Sequence, residues 1–305
     1  MINRVGSITL EVPDLTQSVE FFVETVGLVI TESDGQTAYL RAGTGHHDMI
    51  LVQSPIGKTA LRHLNLEVAE GTFEEGLGRA VAAGAIDVGA IAHAGITRGH
   101  ILEIPGGFGV KLYEGMTTAP KPESSPLPRP IRFSHFNIGV PDVAAHMNFF
   151  MEAFGLSPSD WIRSKEDPFI AWLHCPVPGA SHHGVAILKS EQIRLHHIAF
   201  DYEDVSDVVA RVDNYVDADH YLVWGMGRHG TGGSVFAYAE DPSGMMVELG
   251  SGMITIGSDP RWQGPQVWGM DDKRGVDEWG STVPEAWLAK QVDVHSPCVL
   301  ATPAS

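Results

Sequence analysis

Apolar and polar positions repeat one pattern along the chain. Residues 8–12 alternate weakly and end at Pro13-Asp14. Asp14 suits a helix N-cap, and Leu15, Val19, Phe22, Val23 and Val26 follow as the stripe of an amphipathic helix that stops at Gly27. Short strand-like runs at 28–32, 37–40 and 49–52 complete the unit. A second unit opens at Leu61, with a strand over 63–68, a helix over about 72–83 and closing strands near 100–104 and 109–113. Residues 117–130 carry five prolines and no periodicity, the composition of a linker.

The pattern then starts again. A strand over 131–140 precedes Pro141-Asp142, and Val143, Met147, Phe150, Met151 and Phe154 repeat the helical stripe up to Gly155. His46-His47 parallels His182-His183, and Arg62-His63-Leu64 parallels His196-His197-Ile198. Pro105-Gly106-Gly107 parallels Pro242-Ser243-Gly244. Matching points lie roughly 130 residues apart, which reads as an internal duplication. Each half holds the strand–helix–strands order twice. The expected fold is therefore α+β, built from four tandem βαβββ modules: an N-terminal domain over 1–116, the linker 117–130, a C-terminal domain over 131–256 and a tail over 257–305.

The duplication also locates candidate chemistry. Aligned on their turns and strands, the halves set His135 opposite Ser7, His197 opposite His63 and Glu248 opposite Lys111. A lysine ammonium cannot coordinate a cation, so the first half is expected to be metal-free. In the second half, two imidazoles and a carboxylate form the facial set that leaves positions open on a first-row metal, most characteristically Fe(II). A carboxylate in the apolar strand Met-Met-Val-Glu-Leu needs such a partner, because buried carboxylates are costly alone. Strand parity turns His196 to the face opposite His197 and out of the same shell.

Bulk composition narrows the rest. A chain of 305 residues has room for two cores. A net charge of −18 argues against nucleic acid or anionic membrane as a partner. No apolar run approaches the ~18 residues of a membrane span. The N-terminus shows no secretory pattern, and two cysteines fit a reducing cytoplasm.

With these residues in place, the C-terminal half resembles the type I extradiol ring-cleaving dioxygenases of the vicinal oxygen chelate superfamily, whose domains are glyoxalase-like. The resemblance rests on Phe133-Ser134-His135-Phe136, on Leu195-His196-His197-Ile198-Ala199-Phe200, and on the Tyr-x-x-Asp-Pro-Ser-Gly-x-x-x-Glu run from Tyr238 to Glu248. It implies Fe(II), with Mn(II) as the lesser choice, held by His135, His197 and Glu248. It implies proton-handling roles for His183, His229 and Tyr238, a catecholic substrate with O₂, and a homo-oligomer. Glycine at 184, after His183, departs from the polar residue more usual there. The same scaffold also serves non-redox metal enzymes such as isomerases and lyases, and metal-free binding proteins. For the ring pocket the sequence offers Phe169, Trp172, His196 and Trp224; for a substrate carboxylate, Arg261 or Arg274; for a cover over the site, the tryptophan-bearing tail.

Overall fold

A computed structural model describes residues 2–165 and 167–300; the last five tail residues lie outside it. Four βαβββ modules follow one another. The first comprises β1 (Ile2–Val12), α1 (Leu15–Phe21), β2 (Val29–Ser33), β3 (Thr37–Arg41) and β4 (Met49–Gln53). The second comprises β5 (Ala60–Val68), α2 (Phe73–Ala82), β6 (Ile86–Ala90), β7 (Ile96–Ile104) and β8 (Phe108–Met116). The third runs β9 (Arg132–Val140), α3 (Val143–Phe154), β10 (Ser157–Ser164), β11 (Asp167–His174) and β12 (Val185–Lys189). The fourth runs β13 (Arg194–Tyr202), α4 (Val205–Asp217), β14 (Trp224–Arg228), β15 (Val235–Glu240) and β16 (Met246–Ser251). The tail adds β17 (Gln266–Gly269), α5 (Lys273–Val276), α6 (Glu285–Ala289) and β18 (Asp293–Val294).

The repeated Pro-Asp turns act alike. Asp14 accepts from the Gln17 amide at 3.0 Å and Asp142 from the Ala145 amide at 2.9 Å, a cap worth about 1 kcal/mol each. Both helical segments stop at a left-handed glycine, Gly27 (φ 90°) and Gly155 (φ 70°), a conformation that costs glycine little. The copies differ between cap and stop. The first helix widens into a π-helical stretch at Phe22–Val26, whereas α3 stays regular.

Each half forms one mixed sheet. The N-terminal order is β2-β3-β4-β1-β5-β8-β7-β6, with β18 joining β5, and the C-terminal order is β14-β15-β16-β13-β9-β12-β11-β10-β17. The tail thus lends a strand to each sheet. In both, the first strands of the two modules lie side by side at the centre: β1 against β5, and β13 against β9. One apolar core runs through both halves, with Phe22 meeting Phe200 edge to face. Among the described residues no helix is long and apolar enough to cross a membrane.

Candidate metal centre and its cavity

The central strands position the candidate ligands. On β13, Ala199 pairs with His135 of β9 on one side and with Glu248 of β16 on the other. His197 stands two residues earlier on the same strand. In the other half Asn65 occupies the place of Ala199, paired with Ser7 and with Lys111, and His63 stands two residues earlier. Strand register therefore aligns the same residues that the motifs align. The structure brings His135, His197 and Glu248 together, all buried.

Their donor atoms form a small triangle. His135 Nε2 lies 3.3 Å from His197 Nε2 and 3.3 Å from Glu248 Oε2, and His197 Nε2 lies 3.4 Å from that oxygen. This spacing suits three donors that share one cation at bonds of about 2.0–2.2 Å. Glu248 Oε2 is buried and has no hydrogen-bond partner, a costly state for a carboxylate oxygen that a cation would relieve. Burial works to raise the Glu248 carboxyl, but the imidazoles of His135 and His229 and the Tyr238 hydroxyl outweigh it and hold the group below its usual range. The residues present fit a divalent metal.

Hydrogen bonding also settles which nitrogen of His197 is free. His196 Nε2 lies 2.9 Å from the Trp287 carbonyl oxygen, which can only accept, so His196 carries its proton there. His196 Nδ1, left with a lone pair, sits 2.7 Å from His197 Nδ1 and accepts its proton. The lone pair of His197 is then on Nε2, inside the triangle. Burial, then the neighbouring histidines, pushes the His197 imidazole well below its ordinary pKa, so it stays neutral, the form a metal ligand needs.

This arrangement corrects the parity argument. Simple alternation sends His196 to the opposite face, but a β-bulge between Leu195 and His197 breaks the register against β9. His196 is not one of the three candidate donors, yet it backs His197 directly. His196→Phe is expected to keep the packing on Trp287 and to weaken metal affinity roughly tenfold to a hundredfold. A metal titration with a competing chelator measures this, and an unchanged affinity would contradict the backing role.

A cavity of about 320 Å³ opens on the triangle. His183, His229 and Tyr238 line it with the three ligands. The His183 ring packs 4.4 Å from that of His135, and burial, followed by its histidine neighbours, lowers its pKa well below the ordinary value. His229 donates through Nδ1 to the Val276 carbonyl at 2.6 Å, leaving Nε2 as an acceptor 3.2 Å from the Tyr238 hydroxyl. Burial, then the nearby Glu248 charge, raises the Tyr238 phenol well above its usual pKa.

Of the pocket candidates named from sequence, Phe169, Trp172 and Trp224 line this cavity. His196 stands behind the ligands instead. Arg261 and Arg274 are absent from the lining and pair with Asp259 and Asp272. The tail contributes Met270, Lys273, Val276, Val283 and Trp287 to the walls. Sequence reasoning missed Asn137 and Thr231 as lining residues; Asn137 shares the parity of His135 on β9 and could have been found that way.

Residues 132–249 match the family model of the Glyoxalase/Bleomycin resistance protein/Dioxygenase superfamily. The chain is 32% identical to metapyrocatechase 2 of Cupriavidus necator over a stretch covering 52% of this chain and 47% of that one, about half of each. It is 27% identical to the manganese-dependent 2,3-dihydroxybiphenyl 1,2-dioxygenase of Geobacillus genomosp. 3 across 88% of this chain and 90% of that one. The C-terminal half thus matches that superfamily, and the chain is similar to ring-cleaving dioxygenases along most of its length. Its two-domain fold matches the solved homoprotocatechuate 2,3-dioxygenase of Arthrobacter globiformis with a TM-score of 0.85 at 24% identity, over 95% of this chain and 92% of that one. Nearly the whole of that fold is thus present.

Proposed function

We propose that this protein cleaves the ring of a catechol beside its vicinal diol, inserting both atoms of O₂, with Fe(II) as its metal. The observation that carries the reading is the His135–His197–Glu248 triangle at the base of an apolar cavity that His183, His229 and Tyr238 also enter. When bound, a ferrous ion in this triangle supplies adjacent positions for both reactants and a path for electron density from ring to dioxygen.

The protein's own groups do the rest. With two neutral imidazoles and the Glu248 carboxylate, a divalent cation here would keep one net positive charge, which a diol that has lost one proton neutralises. His229, with its lone pair on Nε2, accepts a hydrogen bond from a substrate hydroxyl, and Tyr238 orients the same edge of the ring. His183, neutral at rest, takes a proton at a nitrogen facing the cavity and delivers it to an oxygen of the cosubstrate. The tail, by supplying one wall of the cavity, excludes water from the reacting ring.

The walls also speak to the ring's substituent. Ile162, Phe169, Ile170, Trp172 and Leu188 face the cavity from one side, and Trp224, Val283, Trp287 and Leu288 also line it. Among the described lining residues Lys273 is the one lysine or arginine. A carboxylated ring would lose hydration for little return, whereas apolar substituents gain about 0.8 kcal/mol per buried methylene. Catechols with alkyl or aryl substituents are therefore expected to exceed carboxylated catechols in kcat/KM by roughly tenfold or more.

The test loads the protein with Fe(II) without air, adds each catechol, then admits air and follows the yellow ring-cleavage product. Parallel loading with Mn(II) decides the metal. No product from any catechol would end the reaction reading. A carboxylated ring as the best substrate, with the preference lost in Lys273→Met, would end the substrate reading alone.

A further inference from the structure

Behind His183 lies a second chain of buried polar groups. His182 is fully buried, and its Nδ1 lies 3.0 Å from Nδ1 of His183. Its Nε2 has no hydrogen-bond partner, but it lies 3.4 Å from Oδ2 of Asp160, which is itself buried. The tail holds that carboxylate in place: the Gln266 amide donates to Oδ1 at 2.9 Å and the Trp268 indole to Oδ2 at 3.1 Å.

We propose that Asp160 and His182 are positioning residues for His183, fixing the tautomer in which its proton sits on Nδ1 and Nε2 is left to the cavity. A carboxylate only accepts, so the proton of His182 sits on Nε2, toward Asp160. His182 Nδ1 is then a lone pair, and across 3.0 Å only a proton on Nδ1 of His183 satisfies both rings. The carboxylate thus sets, through one intervening imidazole, the nitrogen with which His183 meets the reactants. The ring orientation is fixed in the same step, because Nδ1 is tethered away from the cavity. This inference rests on the proton-handling role proposed for His183.

The decisive measurement needs no variant. Nitrogen-15 histidine spectra of the full chain, loaded with diamagnetic zinc, are expected to show His183 protonated on Nδ1 and unprotonated on Nε2. The opposite tautomer overturns the proposal. Among variants, His182→Phe removes the acceptor, while His182→Asn places an amide oxygen near the lost Nδ1. The phenylalanine variant is expected to lose tenfold or more in kcat with KM for the diol and metal content unchanged, and asparagine is expected to recover most of that loss. Equal turnover in both variants and the native protein overturns the proposal, as does a loss that tracks metal content. Because the nitrogen spectra do not depend on turnover, they decide the tautomer even if the ring-cleavage reading fails.

Discussion

Exchanging Glu248 for glutamine is expected to leave a folded protein that no longer holds a stoichiometric metal, whereas His183→Phe keeps the metal and loses turnover. Glu248 is the one anionic donor in the triangle, and its Oε2 has no other partner. A neutral amide leaves a divalent charge facing two imidazoles in a buried site, where little solvent offsets it. Loss of the metal forfeits several kcal/mol of transition-state stabilisation, about a thousandfold or more in rate. His183 touches the His135 ring but is not one of the three donors. In the role proposed for it, its replacement removes only the proton transfer, typically worth about 10²- to 10⁴-fold. Metal analysis by mass spectrometry, thermal melts and oxygen-uptake kinetics on both variants separate the two effects. Full metal occupancy in the glutamine variant, or metal loss in the phenylalanine variant, would reverse the assignments.

What the sequence revealed follows from where the information lies. The Pro-Asp caps, the glycine stops and the turn at Asp241-Pro242-Ser243-Gly244 are local, and each appears where its residues dictate. In that turn Asp241 Oδ1 accepts from the amides of Ser243 and Met245, and Gly244 takes φ 84°. The duplication turned these local signals into long-range ones, since aligned strands imply aligned ligands. Three features escaped. The bulge at His196 adds one residue to a strand, and nothing in Leu-His-His-Ile announces it. The widened helix at Phe22–Val26 keeps the same stripe as its regular counterpart α3. The tail was expected as a cover, but its hydrogen bonds to the site were the largest loss. Its Trp287 carbonyl fixes His196, its Val276 carbonyl fixes His229, and its Gln266 amide and Trp268 indole fix Asp160. Two of these four groups are backbone carbonyls and one is a backbone amide, which any residue type supplies. Composition cannot point to them.

Lys111→Met is expected to stabilise the protein at neutral pH by on the order of a few kcal/mol without changing its metal content. Lys111 stands where the other half has Glu248, fully buried, with its ammonium 2.9 Å from His93 Nδ1. Burial lowers its pKa from an ordinary 10.5 to about 7. Between those values the unfolded chain binds a proton that the folded chain refuses. Stability therefore falls as pH drops through that window, by about 1.4 kcal/mol per unit, and this contribution levels off below pH 7. Methionine fills similar space with no charge to desolvate. The variant's advantage should be greatest near pH 7 and should vanish as pH approaches 10.5. Urea unfolding at pH 7, 8.5 and 10 measures both the gain and its slope. A variant less stable than the native chain at pH 7, or one with the same pH slope, would show that Lys111 is compensated by contacts beyond His93. The same sample reports on the duplication. If metal content fell on removing Lys111, the N-terminal half would have to contribute to metal binding, and the division of labour between the two copies would fail.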